Sequence, residues 1–131
     1  MDYLIKEARQ AQERAIAPLS GFRVGAALET KRGRIYTGCN IENLSLSLSI
    51  CAERVALLKA LSEGERDFRA MAIVTSSEKP ASPCGACRQM LWEFAPDISL
   101  VLTGPEGNER KVFFIPELLP EPFDLNKNPK S

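Results

Sequence analysis

The chain has 131 residues, enough for one domain with its own core and no disulfide staples. Lysine plus arginine and aspartate plus glutamate number 17 each, so it is formally neutral, which argues against nucleic acid as its main partner. It contains no histidine, which excludes Ser-His and Cys-His nucleophilic mechanisms in their usual forms and every His-containing metal site.

In chain order, Leu4, Ile5, Ala8, Ala11, Ala15 and Ile16 recur at helical spacing between charged residues, predicting an amphipathic helix that ends near Pro18. Phe22, Val24, Ala26 and Leu28 alternate with Arg23, Gly25, Ala27 and Glu29 as in a strand. Lys31-Arg32-Gly33-Arg34 reads as a turn, and Ile35 to Ile41 as the returning strand of a hairpin. Leu44 to Ile50 alternates leucine and serine, a strand by periodicity alone; its place in the chain favours a loop leading into a helix. That helix runs from Cys51 to about Glu63, with Val55, Leu58 and Leu61 expected inward and Gly64 as its stop.

Met71 to Val74 suits a strand buried on both faces. A loop from Ser76 to Pro83 leads to a second helix, Cys84 to about Phe94, with Met90, Leu91 and Phe94 on its apolar side. Ile98 to Leu102 and Lys111 to Phe114 read as two more strands, joined by a turn at Gly104-Pro105-Glu106-Gly107, and Pro116 to Leu119 as a short helix. Residues 124–131 are polar and expected to form a flexible tail on a single domain, 1–131. The order of elements predicts an α/β fold with helices on the faces of a mixed sheet. The N-terminus enters a charged helix without a signal-like apolar region, and no apolar run has the length of a bilayer span. A soluble, cytoplasmic protein with reduced thiols is expected, with no membrane partner.

Chemistry concentrates in Cys51-Ala52-Glu53-Arg54 and Pro83-Cys84-Gly85-Ala86-Cys87-Arg88-Gln89. Cys84 and Cys87, one helical turn apart, can grip one metal ion, and the fold must bring Cys51 to join them. Zinc accepts three thiolates readily, and three protein ligands leave a fourth position open for water. Glu53 lies close enough to Cys51 to face that water without binding the metal. With no histidine in the chain, Glu53 is the best-placed proton carrier. Three thiolates on a dication leave a net negative charge. Helix N-termini, Arg54 and Arg88 are the candidates to compensate it. The bland alternative makes Cys51 and Cys84 small buried apolar residues. Cys39 is left over: as a fourth ligand it would close the site, and as a buried strand residue it would take no part.

These two boxes resemble those of the cytidine deaminase family in its small, all-cysteine form, a zinc chemistry in which the glutamate is not a ligand. The likeness extends through Ser20-x-Phe22-x-Val24-Gly25-Ala26-Ala27, Gly38-Cys39-Asn40-Ile41-Glu42-Asn43 and Leu118-Leu119-Pro120. It implies a three-layer α/β/α sandwich around a five-stranded mixed sheet, one Zn2+ per chain on Cys51, Cys84 and Cys87, and Glu53 as general base and acid. Cytidine or deoxycytidine would be converted to uridine or deoxyuridine and ammonia.

By the same resemblance Phe22 and Ala52 contact the substrate, Asn40 and Glu42 hold the sugar hydroxyls, and Arg54 balances the thiolate charge. Phe123 reaches the site of a neighbouring subunit in a homotetramer with composite active sites. The likeness also places Cys39 in the sheet, away from zinc. Two positions depart from the family pattern: Leu19 and Leu46 stand where aromatic residues are usual, so ring stacking is lost there. That leaves room for a modified cytosine or a blasticidin-like antibiotic as substrate. A reading of another class, a zinc-stabilised binding module closed by Cys39, gives Glu53, Asn40 and Glu42 no task.

Overall fold

The computed structural model describes residues 1–77, 82–105 and 109–123. Within them five strands form one mixed sheet: β1 (Val24–Thr30), β2 (Ile35–Cys39), β3 (Phe68–Thr75), β4 (Ser99–Thr103) and β5 (Arg110–Phe114). Their spatial order is β2-β1-β3-β4-β5. β1 pairs antiparallel with both β2 and β3, β3 and β4 run parallel, and β5 returns antiparallel.

The parallel pair needs a crossover, and α3 (Gly85–Phe94) supplies it between β3 and β4. The other helices are α1 (Asp2–Gln12), α2 (Ala52–Ser62) and the single-turn α4 (Ile115–Leu118). Side chains alternate across the sheet and build two cores. On one face Ala27 of β1, Ala70, Ala72 and Val74 of β3 and Val101 of β4 pack against Leu4, Ile5 and Ala8 of α1. On the other, Ala26, Leu28, Met71, Ile73, Leu100 and Leu102 meet Ala56, Leu57 and Ala60 of α2, Leu91 of α3 and Ile115 of α4. This is the three-layer α/β/α sandwich.

Two glycines set how closely the outer layers approach. A Cβ on Gly25 would lie 2.0 Å from the Ala8 carbonyl oxygen of α1, and one on Gly38 2.5 Å from the Ala52 carbonyl oxygen of α2. Both helices therefore rest backbone to backbone on the sheet.

Several expectations change. The first helix stops at Gln12, five residues short of Ala17, and Ile16 instead bridges to Ile41 beyond β2. Strand β1 begins at Val24 rather than Phe22, and all seven of its residues are buried, because α1 covers the face that alternation assigns to solvent. The inward residues of α2 are Ala52, Glu53, Ala56, Leu57 and Ala60; Leu58 is exposed, and Val55 and Leu61 are only half-buried. The small side chains face the sheet because the Gly38 contact leaves no room for larger ones there. In α3 Leu91 is buried, whereas Met90 is half-buried and Phe94 is 38 % exposed.

The leucine-serine segment is a loop with one 3-10 turn, Leu46–Leu48, clasped by the Ile41–Ile50 bridge. The expected tail at 124–131 and part of the turn after Gly104 lie outside the described residues.

Candidate active site

The site forms where β3 ends and β1 begins, with the N-termini of α2 and α3 above it. Cys51 and Cys84 are the capping residues of those two helices, both in extended conformation, and Cys87 lies in the first turn of α3. The three Sγ atoms lie within 4.8 Å of one another, with Cys51 and Cys84 3.7 Å apart and Cys84 and Cys87 3.5 Å apart. Among the described residues this is the one such cluster, and Cys39, in β2, is outside it. Three soft donors on one side, with no fourth ligand among the described residues, suit Zn2+ with an open position.

Within the cluster Cys51 is the thiol electrostatically primed to lose its proton. Cys51 is pulled down to about 5, first by the hydrogen bond from the Cys87 thiol, then by Arg54 and Cys84. Cys87 is pushed up because it gives that hydrogen bond and is buried. The first N–H groups of α2 and α3, which have no helical partner, add positive potential at the cluster. Arg54 Nη2 sits 3.8 Å from Cys51 Sγ, and its guanidinium pKa is raised first of all by that thiol.

Arg88 has a different task. Its Nε donates to the Pro83 carbonyl at 2.9 Å and its Nη1 to the Leu118 carbonyl at 2.9 Å, fastening the loop before α3 to α4. Of the two arginines, Arg54 is the one beside the thiols.

Glu53, in the first turn of α2, is 5 % exposed. Burial raises its carboxyl to about 7, and the neighbouring charge of Cys51 acts in the same direction. It lines a cavity of about 190 Å3 together with Cys51, Ala52 and Cys84. Phe22, Val24 and Asn40 form another side, and Ile73, Thr75 and Ser82 complete it.

Of the remaining residues singled out in the sequence, Asn40 reaches the cavity wall, but its amide is occupied by backbone. Oδ1 accepts from Val24 N at 2.8 Å and Nδ2 donates to the Phe22 carbonyl at 2.7 Å. This brace, rather than a sheet partner, holds Phe22 at the rim. Glu42 is not among the lining residues. Its carboxylate accepts from Leu19 N at 2.9 Å, from Ser20 N at 3.0 Å and from the Ser20 hydroxyl, and these bonds lower its pKa. Phe123 is 65 % exposed and away from the cavity. Leu19 and Leu46 are exposed and do not line it either. Trp92 packs against the core.

Sequence reasoning missed Val24, Ile73, Thr75 and Ser82. Period-2 alternation could have placed Ile73 and Thr75 on the face of β3 that looks toward the two boxes.

The cytidine and deoxycytidylate deaminase zinc-binding region matches residues 1–103. A cytidine deaminase of Halalkalibacterium halodurans is 49% identical over 126 residues, covering 94% of this chain and 96% of that one. The crystal structure of cytidine deaminase from Burkholderia pseudomallei superposes with a TM-score of 0.90 at 45% identity, covering 93% of this chain and 98% of that one. A blasticidin-S deaminase of Bacillus cereus is 35% identical over 111 residues, covering 79% of this chain and 78% of that one. With three thiols gathered around an open position and a buried glutamate beside them, the chain belongs to the zinc-dependent cytidine and deoxycytidylate deaminase family.

Proposed function

We propose that the protein hydrolyses cytidine or deoxycytidine to the corresponding uridine and ammonia, and that Glu53 carries the protons. One observation supports this above all: a buried carboxyl lines a cavity together with Cys51 and Cys84, two of the three converging thiols. Zn2+ held by Cys51, Cys84 and Cys87 supplies Lewis acidity, which makes a water nucleophilic near neutral pH. Glu53 accepts the proton of the attacking water. It gives that proton to ring N3 as C4 becomes tetrahedral, then takes the proton of the new C4 hydroxyl and passes it to the amino group, which leaves as ammonia as the C4–N bond breaks and the C4 carbonyl forms. A carboxyl held near 7 both takes and returns a proton at neutral pH. The buried position keeps bulk water from competing.

Among the described lining residues none is cationic, which favours a free nucleoside over a nucleotide. Phe22 offers an aromatic face at the rim and Ala52 a small apolar wall. We assign the sugar hydroxyls to Asn40 and to Glu42, two residues on, whose carboxylate is braced by Ser20. Arg54 offsets the thiolate charge. The homotetramer belongs to the same proposal, with Phe123 completing a neighbour's site, as does a reducing compartment such as the cytoplasm, which keeps the free thiols available.

The test is ammonia release from cytidine and deoxycytidine alongside zinc content, in the wild type and in Glu53→Gln. The wild type should turn over with about one zinc per chain. The variant should keep its zinc and lose about 100- to 10,000-fold in kcat, the usual weight of general acid-base catalysis. Undiminished activity in the variant removes Glu53 from its role. Turnover confined to modified cytosines or blasticidin-like compounds changes the substrate but not the chemistry.

A further inference from the structure

We propose that Thr75 is a substrate contact whose hydroxyl hydrogen-bonds the pyrimidine ring at the closed end of the cavity. The inference rests on the deaminase reading above and adds a residue that sets affinity for the base. Thr75 is the last residue of β3 and pairs with Val24 of β1. It stands two residues after Ile73, so the two side chains share the sheet face beneath α2 and α3. Val24, Ile73 and Thr75 together line the cavity floor.

Thr75 is 2 % exposed, and its Oγ1 is buried without a protein hydrogen-bond partner. A hydroxyl in that state is costly unless a ligand satisfies it. The neighbouring polar groups leave this task open. The Asn40 amide braces the backbone of Phe22 and Val24 and is assigned above to the sugar, Ser82 is exposed, and Glu53 is given to proton transfer. The rest of the floor is apolar.

Depth identifies which part of the substrate arrives there. Phe22 and Cys84 are exposed at the mouth, whereas Ala52, Glu53, Ile73 and Thr75 are all nearly covered. The atoms that reach Glu53 belong to the reacting ring, so the ring is what Thr75 meets. A hydroxyl both donates and accepts, which suits an aminopyrimidine edge that carries both kinds of group. Thr103 provides an internal control: its hydroxyl is also buried and unpartnered, but it lies in β4 and does not line the cavity.

The experiment compares Thr75→Val, Thr75→Ser and Thr103→Val with wild type. It measures KM and kcat for cytidine and deoxycytidine, Kd for uridine by calorimetry, and Tm. Thr75→Val should raise KM for both nucleosides and Kd for uridine by about five- to tenfold, the worth of one hydrogen bond. Its kcat should stay within about twofold and its Tm should not fall, since an unpaired hydroxyl is exchanged for a methyl of like size. Thr75→Ser and Thr103→Val should bind like wild type. Unchanged KM and Kd in Thr75→Val overturn the proposal, as does a penalty confined to one of the two sugars. Equal losses in Thr103→Val overturn it too, by making the effect one of the sheet. A wild type that turns over neither nucleoside and does not bind uridine sinks the deaminase reading itself, a separate outcome from any change at Thr75.

Discussion

Cys39 is the thiol left out of the cluster, and it separates an open site from a closed one. It lies in β2 and is half-buried, while Cys51, Cys84 and Cys87 converge at the N-termini of α2 and α3. Cys39→Ala should therefore keep about one zinc per chain and wild-type turnover, read by metal analysis and ammonia release. Loss of zinc in that variant would mean a four-cysteine site with no position for water. At this scale the metal set was readable from the sequence, because few residue types can hold zinc and no histidine competed for the assignment. The arginines were not readable. Both stand within three residues of a ligand cysteine, yet Arg88 is claimed by the Leu118 carbonyl, thirty residues away, while Arg54 stays at Cys51 Sγ. Asn40 shows the same limit: the family resemblance implied a sugar contact, whereas its amide also braces the entry to β1.

At the scale of elements, the helix that carries Cys51 and Glu53 is positioned by a glycine in a neighbouring strand. A methyl on Gly38 would meet Ala52 O at 2.5 Å and Ala56 N at 2.6 Å, backbone atoms of α2 that cannot swing aside. Gly38→Ala must lift the start of α2 from the sheet. It should cost about 1–3 kcal/mol of stability, the usual penalty for overpacking, and weaken zinc retention and kcat together. Gly25→Ala is the matched comparison. Its methyl would strike Ala8 O and Gln12 N of α1, on the opposite face of the sheet. Denaturation of that variant should show a loss of similar size, while the folded protein keeps its zinc. Equal zinc loss in both would mean that the site responds to global stability rather than to the seat of α2.

The order and type of these elements were legible because hydrophobic period and turn residues are local signals. The buried faces of β1 and α2 were not. Which side of an element is covered depends on partners distant in sequence: α1 covers β1, and Gly38 admits only alanines from α2.

For the whole molecule, the unexplained feature is an apolar surface beside the site. Leu44 is 89 % exposed and Leu46 72 %, and Leu48, Ile41 and Ile50 in the same segment are also uncovered. Fully burying a leucine side chain is worth about 1.5–3 kcal/mol, so this loop gains from a partner surface. Contiguous patches of this kind mark interaction sites in soluble proteins. The segment runs from the Ile41–Ile50 bridge straight into Cys51, so a copy packed on it would stand next to the cavity. That fits the proposed homotetramer, in which each site borrows Phe123 from a neighbour; in its own chain Phe123 is exposed and does not line the cavity.

The sequence left this level to resemblance, since leucine-serine alternation states exposure to something apolar but not to what. Light scattering should give the mass of four chains for the wild type, not the single-chain 14.5 kDa. Leu46→Asp with Leu48→Asp should shift the protein to smaller species and depress kcat/KM, while each chain stays folded by circular dichroism. Phe123→Ala should keep the assembly and raise KM if, as proposed, its ring enters the neighbour's cavity rather than the contact surface. A single-chain mass at full activity would confine the whole site to one protomer. Phe123 would then be an ordinary exposed residue, and Phe22, the one ring among the described residues of the cavity wall, would be left to hold the base.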